Sequence, residues 1–283
     1  MWADHAEIIQ MILTDMFTWD IFIWFGAAAI AFAIIGAAIS LGANDHWSKS
    51  SVRYRKKRTY AITFTSLSIA VMLAFITGLW ISLDRPPLRT MGETRLWYSF
   101  FALIAGLFTY IRWRYRWILS FSAVLATVFI VINILKPEIH DQTLVPALQS
   151  PWFIPHVMVY MFSYSFLGAA FLVSIAGLWG AKSNVLQVAD TLVYIGTAFL
   201  TFGMLSGSLW AKEAWGQFWN WDPKETWALV TWLCYMAYIH LRLIGRTSRR
   251  TLCLLLILSF CCLQMCWWGV NYLPSAAESV HVY

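Results

Sequence analysis

The chain has 283 residues, of which 60% are hydrophobic and only 12% charged, with a mean hydropathy of +0.63. That balance excludes a soluble globular protein and calls for an integral membrane protein. A net charge of +6 would suit nucleic acid, but the basic residues cluster in short segments at helix ends, where they serve as topology determinants at an anionic leaflet, and no nucleic-acid partner is expected.

Eight apolar runs are long enough to cross a hydrocarbon core of roughly 30 Å as helices. They lie near 17–42, 59–83, 96–112, 115–135, 156–180, 188–209, 225–245 and 251–273. The first is longer than a signal-peptide core and lacks a cleavage site, so it reads as a retained helix. The loop after it holds Lys49, Arg53, Arg55, Lys56, Lys57 and Arg58, and the turn after helix three holds Arg112, Arg114 and Arg116. With Lys182, Arg242, Arg246, Arg249 and Arg250, one face carries 14 of the 20 basic residues. Cytoplasmic loops carry such an excess. The predicted fold is therefore an all-α integral membrane protein of eight transmembrane helices with both termini on the non-cytoplasmic side. It reads as a single domain over 1–283, with helices one to four in 1–135 and the chemistry-bearing half in 136–283.

Helices one to four are joined by short charged loops that carry no cluster of chemical interest. The outer loop KPEIHDQTLVPALQSPWFIP, 136–155, then delivers His156 at the start of helix five, with Pro155 as a first-turn residue. The next outer segment, WAKEAWGQFWNWDPKETW at 210–227, holds five tryptophans, and the third, NYLPSAAESVHVY, carries His281. Helix pairs separate the three, so they can converge at one mouth of a bundle.

Tryptophan is commonly an interfacial anchor, and Trp210 and Trp227, at the expected ends of helices six and seven, fit such a belt as well as a site. For Trp215, Trp219 and Trp221 a belt explains less. If WGQFW is helical, Trp215 and Trp219 are four apart and point the same way, with Trp221 carried beyond them. Such a group suits a flat, conjugated, mostly apolar ligand. Asp222, Pro223 and Glu225 fit an N-cap, a first helical proline and an acid at the third position, which would cap helix seven and fix the direction of Trp221.

Of the six histidines, His46 lies with the cytoplasmic basic cluster, and His5 and His140 lie outside in polar surroundings without aromatic clustering. His156 and His281 share the face of the tryptophans, and two imidazoles on opposite sides of a porphyrin are a usual way to hold haem iron. His240 lies thirteen residues beyond Trp227, roughly 20 Å deeper on helix seven. An ionisable residue there is a functional candidate, and a histidine near a helix C-terminus also suits the helix dipole. The five cysteines all fall in helices seven and eight without a Cys-x-x-Cys, as small buried hydrophobes do.

The segment WGQFWNWDPKETWAL, 215–229, resembles the WWD signature of the haem-handling proteins of cytochrome c maturation. Its PKETW continuation is similar to the CcsA/ResC branch, called system II, as are the eight-helix topology, the PHV at 155–157 and the GVNYLPS…HVY ending at 269–283. Helices one to four match that branch only in topology. The resemblance implies that His156 and His281 ligate haem iron beside a cage of Trp215, Trp219 and Trp221, next to Asp222. His240 would receive haem b transiently within the membrane. No histidine lies in helices one to four, which implies that a CcsB/ResB-like membrane partner supplies the second buried histidine. The implied activity is holocytochrome c synthesis, in which haem joins the Cys-x-x-Cys-His motif of apocytochrome c while a thiol-reducing protein keeps the cysteines reduced. The bacterial inner membrane is the implied setting, with the thylakoid membrane as an alternative. Lys212 and Lys224 could pair with haem propionates or remain solvated. A haem exporter that leaves attachment to another protein fits the same residues. A membrane b-type electron carrier fits less well, because it needs two histidines at matching depth.

Overall fold

The computed structural model describes residues 17–42, 52–140, 150–180 and 184–274. Its helices are α1 (Phe22–Leu41), α2 (Val52–Leu83), α3 (Met91–Trp113), α4 (Arg116–Leu135), α5 (Phe153–Leu178), α6 (Val185–Trp215), α7 (Pro223–Ile244) and α8 (Arg249–Trp267). Short 3-10 turns flank them at Trp19–Ile21, Pro137–Ile139 and Gly269–Tyr272, and no strand occurs among the described residues. All eight helices, α1 taken with the turn before it, are long and apolar enough to cross a membrane. The chain is an all-α, multi-pass membrane protein.

The helices form two compact units, Met1–Thr143 with α1–α4 and Leu144–Tyr283 with α5–α8. In the first unit α1 packs on α2, α2 on α3, α3 on α4, and α4 returns to α1. Lipid offers little hydrophobic gain for helix association, so close approach has to supply the attraction. Helix α1 meets that need with a buried stripe of small residues, Ala29, Ala33, Gly36, Ala37 and Ser40, which share one helix face. Polar bonds reinforce it: Ser68 Oγ donates to Ala29 O at 2.7 Å and Ser40 Oγ to Arg116 O at 3.1 Å.

Three features of this unit correct the sequence reading. Helix α2 begins at Val52 rather than near 59, so Arg53, Arg55, Lys56, Lys57 and Arg58 lie on its first turns instead of in a loop. Arginine and lysine are good helix formers, and their long side chains reach backbone carbonyls. Lys57 Nζ donates to Gly42 O at 2.7 Å and Arg58 Nη2 to Ile111 O at 3.3 Å, at the C-terminal ends of α1 and α3 where helix dipoles favour cations. Helix α3 starts at Met91 rather than 96, with Thr90 and Glu93 forming a capping box. Glu93 is 1% exposed and accepts from Arg85 Nη1 and Nη2 at 3.1 and 2.8 Å and from the backbone N–H groups of Arg89 and Thr90. His140 is not remote from aromatic rings: it stacks on Trp19 at 3.8 Å and 7°. That pairing joins residues distant in the chain, beyond the reach of local patterns.

In the second unit α5 packs on α6, α6 on α7, α7 on α8, and α8 closes on α5. Asp190 on α6 accepts from Arg242 Nε at 2.8 Å, from Arg242 Nη2 at 2.5 Å and from the Tyr238 hydroxyl at 2.7 Å, tying α6 to α7. Arg249 Nη2 donates to Gly177 O at 2.7 Å, joining the start of α8 to the end of α5. Helix α8 stops at Trp267, short of the expected 273, as Gly269 and Asn271 weaken helix propensity. Cys253, Cys262 and Cys266 are buried, in keeping with the reading of the cysteines as small buried hydrophobes, whereas Cys234 is half-buried and Cys261 is exposed, contrary to it.

Candidate functional site

The site belongs to the second unit and is built from the start of α5, the end of α6, and the segment 216–222 that leads into α7. Entry to α5 is pinned: Ser150 Oγ donates to Glu213 Oε2 at 2.5 Å and accepts from Trp152 N at 3.2 Å. Helix α5 begins at Phe153, so Pro155 falls in the first turn, where its missing N–H leaves no intrahelical bond unmade. His156 follows directly.

The His156 ring is half-buried, with Nδ1 at 2.8 Å from Gly203 O on α6. A carbonyl oxygen can only accept, so Nδ1 carries the proton and the neutral ring has its lone pair on Nε2. Trp210 stacks beside the imidazole at 5.4 Å and 27°, and Tyr160 lies 4.4 Å away at 54°. A metal-binding histidine is commonly held this way, one ring N–H given to a backbone carbonyl and the other nitrogen basic.

Helix α6 does not end near 209; it runs to Trp215. Trp210 is consequently 2% exposed, packed on Phe153 at 5.2 Å, on His156, and on Trp215 at 4.8 Å and 62°. It is the site neighbour that the interfacial-belt reading left open. The available signal was Gly216, a glycine stop with the basic Lys212 in the turn before it.

Beyond Trp215 the expected helical WGQFW is not formed. Gly216 turns into the left-handed region at φ +81°, where a β-carbon would cost about 1–2 kcal/mol. Its N–H donates to Lys212 O at 3.0 Å, and Lys212 Nζ donates to Gly216 O at 2.7 Å. Lys212 thus caps α6 and lies over the Phe218 ring at 5.4 Å. Trp215 and Trp219 therefore share no helix face. Trp219 instead meets Trp221 edge to face at 5.9 Å and 86°.

Trp221 is 68% exposed and sits at φ +57°, a conformation that bulky residues rarely adopt. The residues after it hold it there. Asp222, 6% exposed, accepts from Lys224 N at 2.9 Å, while Glu225 Oε2 accepts from Asp222 N at 3.2 Å and Asn220 N at 2.8 Å. Pro223 opens α7, so the expected N-cap, proline and acid are all in place. Thr226 Oγ1 adds a bond to Trp221 O at 3.3 Å.

The structure thus brings His156 together with Trp210 and Trp215, pairs Trp219 with Trp221, and makes Asp222 the cap that aims Trp221. His240 is exposed near the far end of α7, close in sequence to the Tyr238–Asp190–Arg242 group and well away from Asp222 at the helix start. Lys224 is half-buried, and its carbonyl accepts from Cys266 Sγ at 3.3 Å. His281 and His5 lie outside the described residues. Among the described residues no group of three or more His, Cys, Asp or Glu side chains could hold a metal ion.

Known proteins supply the context for this arrangement. The cytochrome c biogenesis protein CcsA of Prochlorococcus marinus (strain MIT 9301) is 29% identical, covering 90% of this chain and 92% of its own length. The CcsA of Mesostigma viride is 30% identical over 78% of this chain and 85% of its own. That of Chlamydomonas reinhardtii is 37% identical over 57% of this chain and 48% of its own. The solved structure of the cytochrome c heme lyase CcmF superposes with a TM-score of 0.61 at 17% identity, covering 86% of this chain. That likeness concerns the fold, and the present chain spans only 46% of the CcmF chain. A family model described as cytochrome C assembly protein matches residues 7–277, nearly the whole sequence, and the chain belongs to that family.

Proposed function

We propose that this chain receives haem b and presents it on the non-cytoplasmic side for covalent attachment to the Cys-x-x-Cys-His motif of an apocytochrome c. The observation that carries the reading is the His156 ring, held by its Nδ1–H on Gly203 O at 2.8 Å so that Nε2 is the basic nitrogen, within an aromatic surround. His281 is the proposed second iron ligand. Trp215, Trp219 and Trp221 supply flat apolar contact, and Trp210 backs His156. His240 is the proposed transient ligand within the membrane, completed by a histidine from a CcsB/ResB-like partner. The CcsA relatives come from photosynthetic organisms, which fits the thylakoid membrane as well as the bacterial inner membrane.

Attachment adds each substrate S–H across a haem vinyl group. A carbon–sulfur bond forms at one vinyl carbon and the proton ends on the other, so no oxidant is consumed. The protein's task is placement, since holding two reactants in contact geometry can supply several kcal/mol of the barrier. The cysteines must arrive as thiols, with a fraction ionised, which is the work of a thiol-reducing partner. The histidine of the incoming motif then replaces a protein ligand on the iron and opens a route for release.

The test is an optical spectrum of detergent-purified protein, expressed with its partner and ample haem, beside His156→Ala and His281→Ala. A six-coordinate bis-histidine spectrum, altered in either variant and restored by imidazole, is the expected result. A haem-free wild type would sink the reading. Co-expression with an apocytochrome separates synthase from exporter: covalent haem on the cytochrome, in cells with no other attachment enzyme, is expected of a synthase alone.

A further inference from the structure

The orientation of His156 has an identifiable cause in α6. An ideal β-carbon on Gly207 would lie 2.6 Å from both Cε1 and Nδ1 of His156, and one on Gly203 would lie 2.2 Å from Cδ1 and 2.4 Å from Cε1 of Tyr160. The imidazole and the tyrosine ring therefore lie directly against a side-chain-free stretch of helix. Only there can the imidazole approach closely enough to donate to Gly203 O. The ring has little room to yield: Trp210 lies on one side and Tyr160 on another. Ser206 Oγ also reaches Gly203 O at 3.1 Å and Phe202 O at 3.0 Å, keeping its own side chain folded against α6.

A third glycine on the same helix supplies the contrast. Gly196 also allows α5 to approach, but its β-carbon would meet Leu167, at 2.6 Å from Cδ2 and Cγ. There the requirement is helix packing alone. At Gly203 and Gly207 the rings that occupy the space are a titratable ligand candidate and the tyrosine beside it.

We propose that Gly203 and Gly207 are positioning residues: together they form a slot on α6 that fixes the His156 ring in the Nδ1–H tautomer and aims Nε2 as the iron ligand. The proposal rests on His156 being a haem ligand. Partners that orient a metal-binding histidine commonly matter about 10–100-fold in metal affinity, and here that role falls to a backbone carbonyl and an absent methyl group. Gly207→Ala would push the ring off Gly203 O.

The experiment uses the full chain with its partner, in wild type, Gly207→Ala, Gly196→Ala and His156→Ala. Two quantities are read. The first is the His156 tautomer in haem-free protein labelled with 15N-histidine, its signal assigned by loss in His156→Ala. The second is the haem spectrum and haem retention. The wild type is expected to carry the proton on Nδ1. Gly207→Ala is expected to show a mixed tautomer, a high-spin haem fraction relieved by imidazole, and about 10–100-fold weaker haem retention. Gly196→Ala should lose thermal stability and keep the wild-type spectrum. If Gly207→Ala keeps both the tautomer and the spectrum while His156→Ala loses the spectrum, the slot is overturned and the ligand reading survives. A wild-type spectrum in His156→Ala overturns the ligand reading, and the slot's role in haem binding with it. Should Gly207→Ala fail to fold, the wild-type tautomer decides alone, since a proton on Nε2 overturns the slot.

Discussion

Trp221 combines two costs that a structural residue avoids: a large apolar ring left 68% exposed, and a backbone at φ +57°. The left-handed conformation costs a β-carbon residue about 1–2 kcal/mol, while glycine there would add about 0.5–1 kcal/mol of unfolded-chain entropy. Trp221→Gly should therefore leave thermal stability within about 1 kcal/mol of wild type, since strain relief and entropy roughly offset. Loss of one aromatic contact, worth about 0.5–1.5 kcal/mol, should weaken haem retention up to about tenfold. The paired measurement is a melting curve and haem occupancy on the same preparation. A stability loss near the 3–5 kcal/mol typical of a buried tryptophan truncation, with haem unchanged, would make Trp221 structural instead. How far such residues can be read in sequence depends on the range of the interaction that defines them. Asp222 was legible because its partners, Lys224 N and the Glu225 carboxylate, lie within three residues. The Trp19–His140 stack and the His156–Gly203 bond were not, because each joins helix ends or neighbours that only packing brings together.

Element ends follow the same logic at larger scale. Spans were legible because lipid demands long apolar helices, whereas boundaries failed where polar residues continue a helix, as at the basic first turns of α2 and the Lys212–Trp215 end of α6. At the start of α7, Asp222→Ala should cost about 1 kcal/mol, and Asp222→Asn should retain most of the cap. Both are read by thermal melting. The two variants should also differ in haem retention, because only alanine releases the turn that holds Trp221. Equal haem retention in both would detach the cap from the site. Near the other end of α7, Asp190 accepts three bonds from Arg242 and Tyr238. Asp190→Asn weakens charge-assisted bonds worth about 1.5–3 kcal/mol each and should lower stability by about 2 kcal/mol in the same assay. Because Arg242 is then left without its countercharge, Asp190→Asn with Arg242→Gln should cost less than the sum of the single changes. A strictly additive double variant would mean that the pair contributes no coupling.

Over the whole molecule, eight apolar runs announced eight spans, but hydropathy has no term for partner choice. The closure of each set of four helices into its own ring was accordingly not legible. His240 is where this arrangement bears on function. It lies on α7, the least buried of the eight spans, and its side chain is exposed rather than packed among α5, α6 and α8. On the proposed reading this position is within the membrane, where polar groups are costly, and a histidine that served only packing would gain nothing there. On the same reading His240 is completed by a histidine from a partner chain, since the sequence of α1–α4 contains none. The exposed side of α7 is where the proposed partner would bring it. In cells carrying the partner and a reporter apocytochrome c, His240→Ala should therefore lower covalent cytochrome on the order of tenfold without changing the melting temperature. Imidazole in the medium, able to replace the missing ligand, should restore a substantial part. His156→Ala should lower the yield as well, but with its loss seated at the outer site, so that the two variants trap haem with different spectra. If His240→Ala yields as much covalent cytochrome as wild type, haem does not reach the outer site by way of α7, and the exposed histidine is a feature of the lipid interface.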